Sequence, residues 1–178
     1  MRDSAAPRGP LPDLRRVAQA LGALARASLE PRLARHVECD ALLERALAAL
    51  KGELDAAGAS VHGGSLPALR ADARQLERVL RTLIRNALRH RGAEPPVIHV
   101  SARPVGREWQ FSVRDTGAGL DPAWHHLAFS AHAGARELPA CRRNVRRHGG
   151  RLWVESARGQ GATFHFTLPA TRRMGHVC

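Results

Sequence analysis

Three short segments hold the residues whose types and spacing could do chemistry. The first, Leu83-Ile84-Arg85-Asn86-Ala87-Leu88-Arg89-His90, sets Asn86 and His90 four residues apart, on one face if the segment is helical. The second is Asp115-Thr116-Gly117-Ala118-Gly119-Leu120, and the third is Gly159-Gln160-Gly161-Ala162-Thr163-Phe164, preceded by His148-Gly149-Gly150. Taken singly, each has an ordinary reading: a solvated helix residue, a plain turn, a hairpin tip. Cysteine and histidine offer less. Cys39, Cys141 and Cys178 stand far apart without a CxxC or Cys/His spacing, which fits neither a disulfide framework nor a zinc site. His125, His126 and His132 are the densest histidine group, and adjacent histidines cannot both face one site on a helix.

The elements that must position these segments follow from hydropathy patterning. Residues 1–12, with Pro7, Gly9, Pro10 and Pro12, read as a disordered lead-in. Leu14, Val17, Leu21 and Leu24 recur at helical spacing over residues 13–28, and Pro31 breaks the pattern. Asp40 is an N-cap candidate for a second helix that ends near Gly52 or Gly58. A short strand pair, residues 59–62 and 68–71, is expected around Gly63-Gly64. Asp72 caps the next helix, whose Leu76, Val79, Leu80, Leu83, Ile84 and Leu88 form an apolar stripe ending before Pro95-Pro96. Alternation predicts strands over 97–102 and 108–114, a loop to about 135, a helix over 138–147, and strands over 151–156 and 163–168. The expected fold class is therefore α/β: a two-layer sandwich whose mixed, mostly antiparallel sheet carries helices on one face.

Composition narrows the function classes. The chain has 178 residues, 44% hydrophobic and 25% charged, as a soluble globular protein does. It has no run of eighteen apolar residues and no signal-like start, so no membrane anchor and a cytoplasmic address are expected. The net charge of +12 could serve nucleic acid. However, Lys51 is the single lysine among scattered arginines, a pattern of genome composition that argues against a dedicated nucleic-acid role.

Together, in this order, the three segments resemble the N box, the first glycine box and the last glycine box of sensor histidine kinases. The wording is most similar to bacteriophytochrome-type kinases and runs from about Asp40 to Pro169. The resemblance implies the fold shared by histidine kinases, gyrase, Hsp90 and MutL, with ATP and Mg²⁺ as cofactors. Under it, Asn86 would offer its carbonyl oxygen to Mg²⁺, which prefers oxygen ligands, and His90 would approach the phosphates. Asp115 would accept from the adenine amino group, Gly117 and Gly119 would let backbone approach the base, and Thr163 would support the adenine end.

The same resemblance marks departures. Where the family carries a second, phosphate-holding glycine box, this chain has Ala133-Gly134-Ala135-Arg136-Glu137-Leu138-Pro139-Ala140. One glycine remains there, and Glu137 brings negative charge toward the phosphates. Thr82 stands where an earlier asparagine is usual, and no histidine has the context of a phosphoacceptor. The expected organisation is a lead-in (1–12), a dimerisation-helix remnant and linker (13–38), an ATP-binding domain (39–170) and a tail (171–178). The expected function is phosphoryl transfer from ATP to a protein histidine in a two-component pathway, truncated and weakly active. The alternative is a non-catalytic relative that serves as a docking or phosphotransfer scaffold. The partners implied are a response regulator, a partner histidine kinase or phosphotransfer protein, and a second copy of the chain.

Overall fold

The structure, a computed structural model, describes residues 35–121, 123, 129 and 137–170. They belong to one compact unit beginning at Leu33. The lead-in, the 13–28 helix, the tail, most of the loop after Asp121 and His125, His126 and His132 fall outside the described residues. The described elements are β1 (Arg35–Glu38), α1 (Cys39–Ala57), β2 (Ser60–Gly63), β3 (Ala68–Ala71), α2 (Ala73–Arg89), β4 (Val97–Val105), β5 (Glu108–Asp115), α3 (Glu137–Arg147), β6 (Leu152–Ser156) and β7 (Ala162–Pro169). No described helix is long and apolar enough to cross a membrane.

The helix ends follow local chemistry. Asp72 caps α2 as its sequence position predicts, its carboxylate accepting from the N–H groups of Arg74 at 3.0 Å and Gln75 at 3.1 Å. Gly58, at φ 59° and ψ 26°, closes α1 in the left-handed conformation. Asp40 is not the cap of α1. The helix starts at Cys39 with Glu38 in the cap position, because β1 runs straight into it. Asp40 instead accepts from the Leu66 N–H at 3.0 Å and tethers the 64–67 connection.

Five strands form one sheet in the order β2-β4-β5-β7-β6, with β2 and β4 parallel and the other neighbours antiparallel. The expected pairing of 59–62 with 68–71 does not occur. β2 lies along β4, and β3 pairs antiparallel with β1, from Arg35 opposite Ala71 to Glu38 opposite Ala68. The last four residues of the stretch read as linker (13–38) are thus a strand of the domain. Gly64 continues along β4, its N–H donating to the Val100 carbonyl at 2.9 Å, so Gly63-Gly64 leads out of one sheet rather than turning back within it.

The helices cover one face of the large sheet, and the core fills the space between. Leu42 and Leu50 of α1, Leu80, Leu83 and Ile84 of α2, and Phe111, Phe164 and Phe166 of the sheet are fully buried. Each such side chain contributes roughly 1.5–3 kcal/mol. Phe111 and Phe166, cross-strand neighbours, stack at 4.7 Å between ring centroids.

His148 ties the end of α3 to the start of α2. Its Nε2 lies 3.0 Å from the Asp72 backbone N and its Nδ1 lies 2.8 Å from the Asn144 carbonyl oxygen. The carbonyl can only accept, so Nδ1 carries the proton and Nε2 accepts from Asp72. Replacing His148 with alanine leaves a buried N–H unpaired and is expected to cost about 1–3 kcal/mol, read as a lower urea midpoint with an unchanged slope. A midpoint within error of the parent would show that water replaces the ring there.

Candidate nucleotide site

The three motif segments, separated by some eighty residues, converge at one corner of the sandwich: the end of α2, the end of β5 and the turn between β6 and β7. Asp115 is the last residue of β5, on the helix-covered face, and is 5% exposed. Its Oδ1 accepts two backbone N–H groups, from Gly117 at 2.8 Å and Ala162 at 3.2 Å. No described group hydrogen-bonds Oδ2. One carboxylate oxygen is therefore fixed by the fold and the other is left to accept from something else. Burial pushes the Asp115 carboxyl above the ordinary aspartate range, opposed by the two N–H donors and by nearby His90.

Close backbone approach explains the glycines. A Cβ on Gly117 would lie 2.5 Å from the His90 carbonyl oxygen, and one on Gly119, at φ +69°, would lie 2.0 Å from the Ala157 carbonyl oxygen. These approaches lock the loop after β5 onto both neighbours. Ala118 donates to the His90 carbonyl at 3.0 Å and accepts from the Gly159 N–H at 2.7 Å. Ser156 completes the join: its hydroxyl donates to the Gly161 carbonyl at 2.6 Å and accepts from the Leu120 N–H at 2.7 Å.

Asn86 lies in the last turn of α2 and His90 is its C-cap, the His90 N–H donating to the Asn86 carbonyl at 3.1 Å. Asn86 is half-buried and His90 exposed. His90 stands beside the Asp115 loop, which packs on its carbonyl. Thr163 does not join them. It pairs with Arg114 and Glu155, so the two-residue period of the strand turns its side chain to the face opposite Asp115. The neighbour that reaches Asp115 is Ala162, through its backbone N–H. Only the register of β7 against β5 fixes this facing, whereas the family resemblance pointed to the Thr163 hydroxyl.

At the phosphate end, residues 133–136 lie outside the described residues. Glu137 opens α3, and its Oε2 lies 3.5 Å from Arg89 Nη1, so Arg89 of α2 counters its charge. Thr82, one turn before Asn86, is buried and lines the same cavity as Cys141. Burial pushes the Cys141 thiol up to about 11 and the Cys39 thiol up to about 12, so both are packing groups rather than nucleophiles.

The family described as histidine kinase-, DNA gyrase B-, and HSP90-like ATPase matches residues 71–172, more than half of the chain. The chain belongs to that family. Its domain is of the histidine kinase type. It is 36% identical over 146 residues to cyanobacterial phytochrome A from Nostoc sp. strain PCC 7120, covering 76% of this chain and 19% of that protein. It is 34% identical over 119 residues to the adaptive-response sensory kinase SasA of Synechococcus elongatus, covering 61% of this chain and 31% of that kinase. The chain spans about a fifth of the length of the phytochromes it matches.

Solved structures agree on the fold. The nucleotide-free catalytic domain of histidine kinase ThkA superposes with a TM-score of 0.69 at 20% identity, over 78% of this chain and 96% of that domain. Full-length ShkA in complex with AMPPNP gives 0.70 at 26% identity, over 88% of this chain and 37% of that one. The two-layer sandwich expected from sequence is thus the histidine kinase catalytic-domain fold.

Proposed function

We propose that residues 39–170 form an adenine-nucleotide-binding domain that works with Mg²⁺ and serves a two-component phosphotransfer pathway. The observation that carries this reading is the Asp115 cradle: a buried carboxylate with one oxygen held by two backbone N–H groups and the other unshared, among glycines that admit a flat ligand. An adenine amino group is a donor that such an oxygen can accept. Buried polar recognition of this kind discriminates strongly, because the wrong ligand leaves the carboxylate unpaired.

The donor set fits the nucleotide and its ion. Asn86 offers an amide oxygen beside the exposed end of α2, in keeping with the oxygen preference of Mg²⁺. His90, the C-cap of that helix, would contact phosphate oxygens, and Arg89 stands between them with Glu137 as its present partner. When bound, ATP supplies the γ-phosphoryl group. This chain's residues hold the base at Asp115, place the metal at Asn86 and balance charge at His90 and Arg89, with the histidine acceptor on another segment or chain. ThkA has been seen in complex with the response regulator protein TrrA, and a response regulator or a partner kinase is the partner class proposed here. Nucleotide-analogue binding by ShkA supports the same ligand class.

A second reading, a domain that keeps the fold for docking without turnover, is favoured by one observation. The segment before α3 keeps only Gly134, and Glu137 heads the helix. Titration calorimetry with ADP and ATP, with and without Mg²⁺, separates the two. The parent should bind with micromolar affinity that depends on Mg²⁺, and Asn86→Ala should remove that dependence, weakening binding about tenfold for loss of about 1.4 kcal/mol. Absence of binding at millimolar nucleotide would leave the docking reading.

A further inference from the structure

We propose that the seam between α2 and α3 is a docking groove for an acidic helix of a protein partner. The seam is an open, elongated groove made of two adjoining cavities of about 180 and 530 Å³ that share Arg78, Arg81 and Asn144. Arg74, Arg78, Arg81 and Arg85 follow one another along α2 at spacings of four, three and four residues, which places them on one face over about 16 Å of helix. Arg147 of α3 closes the far end.

What sets these arginines apart is their lack of local neutralisation. Arg85 is held by Glu53, with Nη2 2.6 Å from Oε1. Among the described residues, Arg74, Arg78, Arg81 and Arg147 pair with no carboxylate. The two acids that line the groove are engaged elsewhere: Glu77 lies 3.1 Å from Arg45, and Glu137 lies 3.5 Å from Arg89. The groove therefore presents four uncompensated guanidinium groups, whose planar forks suit bidentate carboxylate pairing.

Charge complementarity decides the occupant. Residues 1–34 carry six arginines against three acids, and residues 171–178 carry two arginines and no acid, so neither segment complements the groove. A second copy, at +12, repels. The occupant is anionic and comes from outside residues 1–34 and 171–178. Among the described residues no aromatic ring lines the groove, so these residues offer no stacking platform of the single-strand nucleic-acid kind. One-turn spacing instead matches glutamates or aspartates placed once per turn on a partner helix laid along the seam. Arg74, Arg78, Arg81 and Arg147 lie outside the proposed nucleotide site, whereas Thr82 and Glu137 border both, so ADP binding is read beside peptide binding to tell the two readings apart.

The test uses the full chain and a fluorescein-labelled, alanine-based helical peptide with one glutamate per turn on one face. The control is a peptide of the same composition with its glutamates distributed around the helix. Fluorescence anisotropy should show the first peptide binding about tenfold more tightly than the control, with weakening at higher salt. Arg78→Glu with Arg81→Glu should reduce that binding by about tenfold or more, with ADP binding and melting temperature unchanged. The milder pair Arg78→Ala with Arg81→Ala should fall between. Equal binding of both peptides, binding to neither, or full binding by both double variants would overturn the proposal. So would a short DNA duplex that displaces the peptide at equal concentration and salt, which would make the seam a nucleic-acid surface.

Discussion

Gly161→Ala is expected to lose about 3–5 kcal/mol of folding stability and, with it, nucleotide binding. Gly161 sits at φ +73°, and a Cβ there would lie 2.0 Å from the Asp115 carbonyl oxygen and 2.9 Å from its carbon. The obstacle is backbone on the neighbouring strand, which cannot swing aside as a side chain does. Relief requires β5 and β7 to separate where Ala162 donates to Asp115, so the cradle is lost together with the packing. Gly159 supplies the control. Its φ of +74° is nearly the same, yet a Cβ there meets nothing within 4 Å. Gly159→Ala should therefore cost only the conformational strain, about 1 kcal/mol, and the remaining difference is the collision. Urea denaturation of both variants checks this. Equal losses would mean that the strands do not approach at Gly161 as described.

Asp115→Asn is expected to separate binding from stability. Asparagine keeps an oxygen for the Gly117 and Ala162 N–H groups, which places its NH₂ where Oδ2 now lies. An adenine amino group would then meet a donor in place of an acceptor. The lost charged hydrogen bond should weaken ADP about ten- to a hundredfold, equivalent to about 1.5–3 kcal/mol. Cys141→Ser, away from the cradle, should leave affinity nearly unchanged, and equal effects of the two would sink the site assignment.

Stability should move the other way. The Asp115 carboxyl is raised by burial, so the fold prefers its protonated form. That preference stabilises the fold at low pH and is lost as pH rises through the folded-state value. At pH 7 the buried carboxylate is a liability that asparagine removes, and the melting temperature of the variant should be no lower than that of the parent. Nucleotide affinity of the parent should fall on acidification, beginning above the ordinary aspartate range, as Oδ2 takes up a proton. The variant should lack that pH dependence. A variant that both melts earlier and binds normally would refute the cradle.

Particular residues show how far the sequence could be read. Asp72 as a cap and the stripe from Leu76 to Leu88 depend only on neighbours within a turn or two, and both hold. So does alternation through Phe111 and Val113. Of the two expected stops for α1, Gly52 or Gly58, the helix ends at Gly58. Pairing does not follow from such signals. β2 and β3 each look like strands, but only the docking of α1, with Asp40 reaching Leu66, sends them to different sheets. Thr163 illustrates the same gap at the site. The family resemblance suggested a ligand group, whereas the pleat, fixed by the pairing of β7 with β5 and β6, turns it away and brings the Ala162 N–H in.

The chain by itself determined the family resemblance, the α/β class, the Asp72 cap and the candidates Asn86, His90, Asp115, Gly117 and Gly119. These are encoded by residue type and short spacing, and short-range geometry is nearly independent of the rest of the fold. Only the tertiary structure decided that three distant motifs meet at one corner, that Ser156 and Ala162 complete the Asp115 cradle, and that Arg89 answers Glu137. It likewise aligned the unpaired arginines of α2 with Arg147 across the α3 seam. The physical reason is common to all of them. Hydrogen bonds, ion pairs and strand faces form between residues that the core brings together, and packing carries information that no local pattern holds.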